Sequence, residues 1–108
     1  MSRPLSSPDV FKALADPTRR DILLKLAEGE MKAGEIFETV DVSQPACSQH
    51  LRVLRDLDLV YQHREASTRV YRLNAAPLEE VNAFTTQFEK FWSKALDRLE
   101  VAMEKDQK

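Results

Sequence analysis

The sequence predicts a mainly α-helical fold with a small β-hairpin, arranged as a winged helix-turn-helix with a long C-terminal helix. The first observation is an amphipathic segment over residues 44–56 that follows a turn of only a few residues. The second is a pair of β-favouring segments directly after it. The third is a row of apolar residues, spaced by three and four, from residue 77 to 105.

Composition limits the class of protein. A chain of 108 residues, 43% hydrophobic and 31% charged, is typical of one small globular domain. It has no apolar run near 18 residues and no signal-peptide core, which predicts no membrane span and no export. The single cysteine permits no internal disulfide and fits a reducing compartment, so we expect a cytoplasmic protein. Residues 1–7 are predicted as a flexible tail and residues 8–108 as the domain.

Three short helices are predicted before residue 41. The first starts at Pro8-Asp9, and the second has Asp16 as its N-cap and ends near Gly29. Arg19 and Arg20 are expected on the exposed side of the second helix. Met31-Lys32 is expected to be a brief extended link, followed by the third helix over residues 34–40.

The segment after the turn has two different faces. Ser43 can act as its N-cap, and Cys47, Leu51 and Leu54 form a narrow apolar stripe. Its other residues are mostly Ser, Gln and Arg, with no acid before Asp56. Gln can bond adenine and Arg can bond guanine in a DNA major groove, so the pattern favours a DNA-reading helix. An ordinary amphipathic helix with a solvated face is the alternative.

Two strands, over residues 60–64 and 69–73, are predicted to form a hairpin that lies against the helices. Arg64, Arg69 and Arg72 surround its polar tip, where they could hold DNA backbone. The five arginines and three acids from Ser43 to Arg72 give this region +2, whereas the rest of the chain carries −4. A purely structural hairpin with solvated arginines is the alternative.

The C-terminal helix, predicted to run continuously over residues 77–105, carries aromatic residues that a monomer would expose. Burial against a second copy is therefore expected, and a pocket for an aromatic ligand is the alternative. The residues predicted to form the dimer interface, together with two from the first helix, are Phe11, Leu14, Val81, Phe84, Phe88, Phe91, Trp92, Ala95 and Leu99.

Two stretches resemble the winged helix repressors of the ArsR type: Phe11 to Leu23, and Ser43-Gln44-Pro45-Ala46 through Ser48 to Arg55. The resemblance covers about residues 8–104 and includes the wing. It implies a homodimer that binds palindromic double-stranded operator DNA and represses its own or a neighbouring operon; it identifies no inducer. The predicted DNA-contacting residues are Ser43, Gln44, Pro45, Ser48, Gln49, His50 and Arg52 on the helix, with Arg64 and Arg69 on the wing.

Metal-sensing relatives carry paired cysteines before the turn, or His with acids on the terminal helix, and this chain has neither set. The sequence therefore predicts the metal-independent branch, with no metal and no cofactor. The acid pairs, including Glu28 with Glu30, lack the partners that catalysis needs, so no enzyme is predicted. Two further alternatives are a redox sensor acting through Cys47, and a winged helix dimer that binds protein instead of DNA.

Overall fold

The computed structural model describes residues 10–106, and the side chains of residues 10–103. Ten elements follow one another along this part of the chain. They are α1 (Val10–Leu14), α2 (Pro17–Ala27), β1 (Met31–Lys32), α3 (Ala33–Thr39), α4 (Gln44–Asp56), β2 (Val60–Glu65), β3 (Thr68–Leu73), a 3₁₀ turn (Ala76–Leu78), α5 (Glu79–Thr86) and α6 (Glu89–Asp106). The predicted order of helices and hairpin is confirmed. The predicted tail and the predicted start of α1 at Pro8 lie outside the described residues.

One apolar cluster joins α1–α4 to the sheet. The predicted stripe of Cys47, Leu51 and Leu54 is fully buried in it, together with Ile22 of α2 and Ile36 of α3. The period of the apolar residues therefore located the inner face of α4 correctly. All polar residues of α4 remain outside this cluster.

The sheet has three antiparallel strands in the order β1-β3-β2, one more than the predicted hairpin. Met31-Lys32, expected as a link, pairs with Tyr71 and Val70 of β3. Two residues are too short a run to show an alternation, which is why the sequence pattern did not predict this strand. β1 covers the edge of β3 that the hairpin alone would leave unpaired.

The C-terminal helix is not continuous, as predicted, but is interrupted at Gln87 and Phe88 between α5 and α6. The Thr85 hydroxyl donates to the carbonyls of Val81 and Asn82, and the Thr86 hydroxyl donates to Asn82 at 2.6 Å. Threonine hydroxyls bonded in this way compete with the helical ladder and bend it. The amides of Gln87 and Phe88 instead bond carbonyls three residues back, which tightens the turn.

Every described side chain of α6, from Glu89 to Met103, is exposed. Among the helices of residues 10–106, none combines the length and the hydropathy that a membrane-spanning segment needs.

Candidate nucleic-acid interface

The outward face of α4 is a compact set of hydrogen-bonding side chains. Ser43 caps the helix, its hydroxyl accepting from the Ala46 amide at 3.3 Å, and Pro45 lies in the first turn as predicted. Burial of Cys47 and Leu51 fixes which face turns outward. The predicted DNA-contacting residues that are exposed on this helix are Ser43, Gln44, Pro45, Ser48, Gln49 and Arg52.

His50 is placed differently, because it is half-buried against α2. Its Nδ1 lies 3.3 Å from a terminal nitrogen of Arg19, and its Nε2 lies 4.0 Å from the Asp16 carboxylate. A guanidinium has no acceptor, so in a hydrogen bond between these two groups Nδ1 of His50 is the acceptor. The geometry suits a residue that supports the helix; direct contact of His50 with DNA stays a prediction.

Arg19 of α2 connects α1 with α4, although it was expected on the exposed side of α2. Its Nε donates to the Ala13 carbonyl at 2.8 Å and a terminal nitrogen donates to the Lys12 carbonyl at 3.2 Å. Its other terminal nitrogen reaches His50 on α4. One half-buried guanidinium thus connects the end of α1 with the middle of α4. The helical period of α2 could not reveal this, because the acceptors are backbone carbonyls of another element.

Asp16 completes the support as the N-cap of α2. Its carboxylate accepts from the Thr18 amide at 2.8 Å and from the Arg19 amide at 3.1 Å. Partial burial raises the pKa of this carboxyl, but the Arg19 amide, the charge of His50 and the Thr18 amide outweigh it, so the pKa lies below its ordinary value. Asp16 therefore stabilises both the start of α2 and the His50 side of α4.

The C-terminal end of α4 is joined rigidly to the wing, the hairpin of β2 and β3. The Leu59 amide bonds the Leu54 carbonyl at 2.9 Å and the Asp58 amide bonds the Arg55 carbonyl at 3.0 Å, with Asp58 at φ 60°. This is a Schellman ending with Asp where glycine is usual. The Arg55 guanidinium also donates to the Gln62 side chain on β2. The wing therefore keeps a fixed position relative to α4.

Arg64 and Arg69 are exposed and lie directly opposite each other across the wing. Directly paired residues share a face of the sheet, and two like charges in this position are destabilising. Counting in steps of two places them on the same face as Gln62, which meets α4 through Arg55. The two guanidiniums therefore lie on the side of the wing that meets α4, where a polyanion would relieve their repulsion.

Arg72, by contrast, belongs to the other face of the wing. Its guanidinium lies 5.6 Å from the ring centre of Tyr61, its cross-strand neighbour. Arg72 therefore lies on the face opposite to Arg64 and Arg69, and its contact with DNA backbone stays a prediction. The number of arginines in the wing does not show which face each one occupies, whereas the register of the strands does.

The residues predicted for the dimer interface form a separate surface at the C-terminal end. Phe11 of α1 meets Phe84 edge-on at 5.5 Å between ring centres, and Phe84 meets Phe88 at 5.4 Å. Phe91 and Trp92 are 72% and 64% exposed, and Ala95 and Leu99 are also exposed. Leu14 and Val81 are half-buried against the core of the same chain.

Cys47 lies in the core beneath α4 with 0% exposure, and burial raises the pKa of its thiol. A thiol in this state is a poor nucleophile at neutral pH. The structure thus offers no support for the redox-sensor alternative.

A capped helix that presents Gln and Arg, joined to a wing with exposed arginines, defines a DNA-binding winged helix-turn-helix regulator. Comparison with known sequences agrees, since residues 16–62 match the family described as "Bacterial regulatory protein, arsR family". The chain belongs to this ArsR family of transcriptional regulators, several of whose named members are repressors.

Two curated relatives and two solved structures illustrate the similarity. The HTH-type transcriptional regulator Rv2034 of Mycobacterium tuberculosis is 43% identical over 91 residues, covering 83% of this chain and 82% of the relative. The transcriptional repressor SdpR of Bacillus subtilis is 42% identical over 72 residues, covering 67% and 80%. The repressor BigR from Xylella fastidiosa superposes with a TM-score of 0.59 at 37% identity, covering 72% of this chain and 81% of that one. An ArsR-like regulator from Rhodococcus gives 0.64 at 28% identity, covering 83% and 85%.

Proposed function

We propose that this protein is a homodimeric repressor that binds a two-fold symmetric operator through α4 and the wing, acting in the cytoplasm on its own or a neighbouring operon. The observation that carries the proposal is the exposed set of Ser, Gln and Arg side chains on α4, joined through Arg55 and Gln62 to a wing that exposes Arg64 and Arg69. α4 enters the major groove, and Gln44 and Gln49 read base edges there. Arg64 and Arg69 hold the backbone beside the groove.

Dimerisation is supported by the apolar surface that α5 and α6 leave exposed. Phe84, Phe88, Phe91 and Trp92 lie within three turns of helix, and each is at least 43% exposed. Exposed aromatic surface of this size on a small domain usually marks an interface. Pairing two copies through this surface gives two α4 helices related by a two-fold axis, and half-sites one helical turn apart.

Fluorescence anisotropy tests the proposal with the intergenic DNA upstream of the protein's own gene and a scrambled control of equal length. We expect selective binding of the upstream DNA that weakens steeply as salt increases, because phosphate contacts release counterions. Binding of neither DNA at low salt would contradict the proposal and favour the protein-binding dimer. Equal binding of both would contradict autoregulation and place the operator elsewhere.

Two substitutions separate the base-reading helix from the wing. Gln49→Ala should lower affinity for the operator by roughly 1–3 kcal/mol and relax the base preference. Arg69→Ala should weaken operator and scrambled DNA about equally and reduce the salt slope by about one unit. If Arg69→Ala changed which sequence is preferred, the assignment of the wing to the backbone would be wrong.

A further inference from the structure

The outer face of the wing, opposite to the one that carries Arg64 and Arg69, holds a cluster that no part of the DNA interface uses. Glu30, His63 and Glu65 converge there, and one ligand atom of each lies within 4.8 Å of the other two. His63 Nε2 lies 3.4 Å from the Glu65 carboxylate. The sequence alone does not predict this group, because Glu30 precedes β1 whereas His63 and Glu65 lie far along the chain on β2.

The register of the sheet explains the convergence. Val70 is paired with His63 on one side and with Lys32 on the other, so these three residues share a face. Alternate residues of a strand lie on the same face, so Glu65 and Glu30 belong to this face as well. Val70 lies on this face, is only 3% exposed and is not part of the core cluster.

The two carboxylates of the cluster carry no ion pair to the neighbouring cations. In the described part of the chain, no ion pair joins Glu30 or Glu65 to Lys32 or Arg72. Imidazole with two carboxylate oxygens is a donor set for borderline divalent ions such as Zn²⁺, whereas Mg²⁺ and Ca²⁺ prefer oxygen alone.

We propose that Glu30, His63 and Glu65 form a surface site for a divalent transition-metal ion of the zinc type. Each residue supplies one ligand, through His63 Nε2 and one carboxylate oxygen of Glu30 and Glu65, and water completes the coordination. Zinc bonds of about 2.0–2.2 Å require the three groups to approach each other slightly, which exposed side chains can do. The sequence-based expectation of no metal site counted His63 without these carboxylates.

The site lies on the wing rather than in the helix before the turn or on the terminal helix. Metal binding is therefore a property of the free protein that can be measured without DNA. If the protein did not bind DNA, the proposed metal site would be unaffected. If it did not bind metal, the proposed DNA binding would be unaffected.

Competition of the full-length protein with a chromophoric zinc chelator tests the site. Zn²⁺ should bind with one site per chain, and His63→Gln should weaken binding at least about 10-fold. The matched control is His50→Gln, which removes the other histidine near a carboxylate and should leave the affinity within about twofold. Unchanged affinity in His63→Gln would overturn the proposal.

Glu30→Gln tests whether the third ligand takes part. We expect it to weaken Zn²⁺ binding by a factor comparable to that of Glu65→Gln, and the ¹⁵N signal of His63 Nε2 to shift on adding Zn²⁺ to the unmodified protein. A Glu30→Gln protein that binds Zn²⁺ as tightly as the unmodified one would overturn the three-residue site. Circular dichroism checks that the variants remain folded; Glu30, His63 and Glu65 are exposed, whereas His50 is half-buried.

Discussion

Single residues in unusual positions give the clearest tests of the fold. Ala66, at the tip of the wing, has φ 57°, a left-handed conformation that a Cβ atom disfavours. Ala66→Gly should therefore raise the free energy of unfolding by about 0.5–1 kcal/mol, measured by urea denaturation. Ala75→Gly is the control, since Ala75 is exposed at φ −79° and glycine there should lower stability. A lower stability for Ala66→Gly would contradict the assigned turn.

Asp16 gives a pH-dependent prediction at the same scale. Its folded pKa lies below its ordinary value, so the carboxylate stabilises the fold above about pH 4 and loses this effect as pH falls through the folded pKa. Asn keeps the N-cap but cannot titrate, so the stability advantage of the unmodified protein over Asp16→Asn should shrink between about pH 5 and 3. Arg19 and His50 face this carboxyl, and repeating the titration with His50→Gln in both proteins separates their charges. A constant difference across this range would be the contradictory result.

At the scale of elements, Arg19 is expected to couple α1 to α4. Arg19→Ala removes bonds to two carbonyls and to His50, and should lower the free energy of unfolding by about 1–3 kcal/mol. Arg20→Ala is a matched control, because the neighbouring Arg20 is exposed and donates to only the Leu14 carbonyl. Chemical denaturation with both variants measures the difference. Equal losses would show that the contact with α4 adds nothing to stability.

The helices and strands also show how much of the fold could be predicted from the sequence. The cap at Ser43, the buried stripe from Cys47 to Leu54 and the two strands of the wing follow from local periodicity, and each is confirmed. The pairing of β1 and the grouping of Glu30 with His63 depend on contacts between distant segments, which periodicity does not encode. The break near Gln87 depends on threonine hydroxyls that can point either to solvent or to the backbone. The spacing of apolar residues by three and four continues across this break, which is why the sequence predicted one continuous helix.

At the scale of the whole molecule, Phe88 is the test of the dimer. Phe88→Asp places a charge in the middle of the aromatic surface and should give particles of one chain rather than two by light scattering, with DNA affinity falling as well. Asn82→Asp adds the same charge at an exposed position of α5 and serves as the control. A Phe88→Asp protein that remained dimeric would exclude this surface as the interface.

A short series of contacts connects the aromatic surface of α5 and α6 with α4. Phe84 meets Phe11 on α1, the last residues of α1 bind Arg19, and Arg19 reaches His50 on α4. In a dimer, the seating of Phe84 against the second copy would therefore set the tilt of each α4. Operator choice would then include the length of the spacer between half-sites, so a change far from any base could alter which promoters the protein occupies.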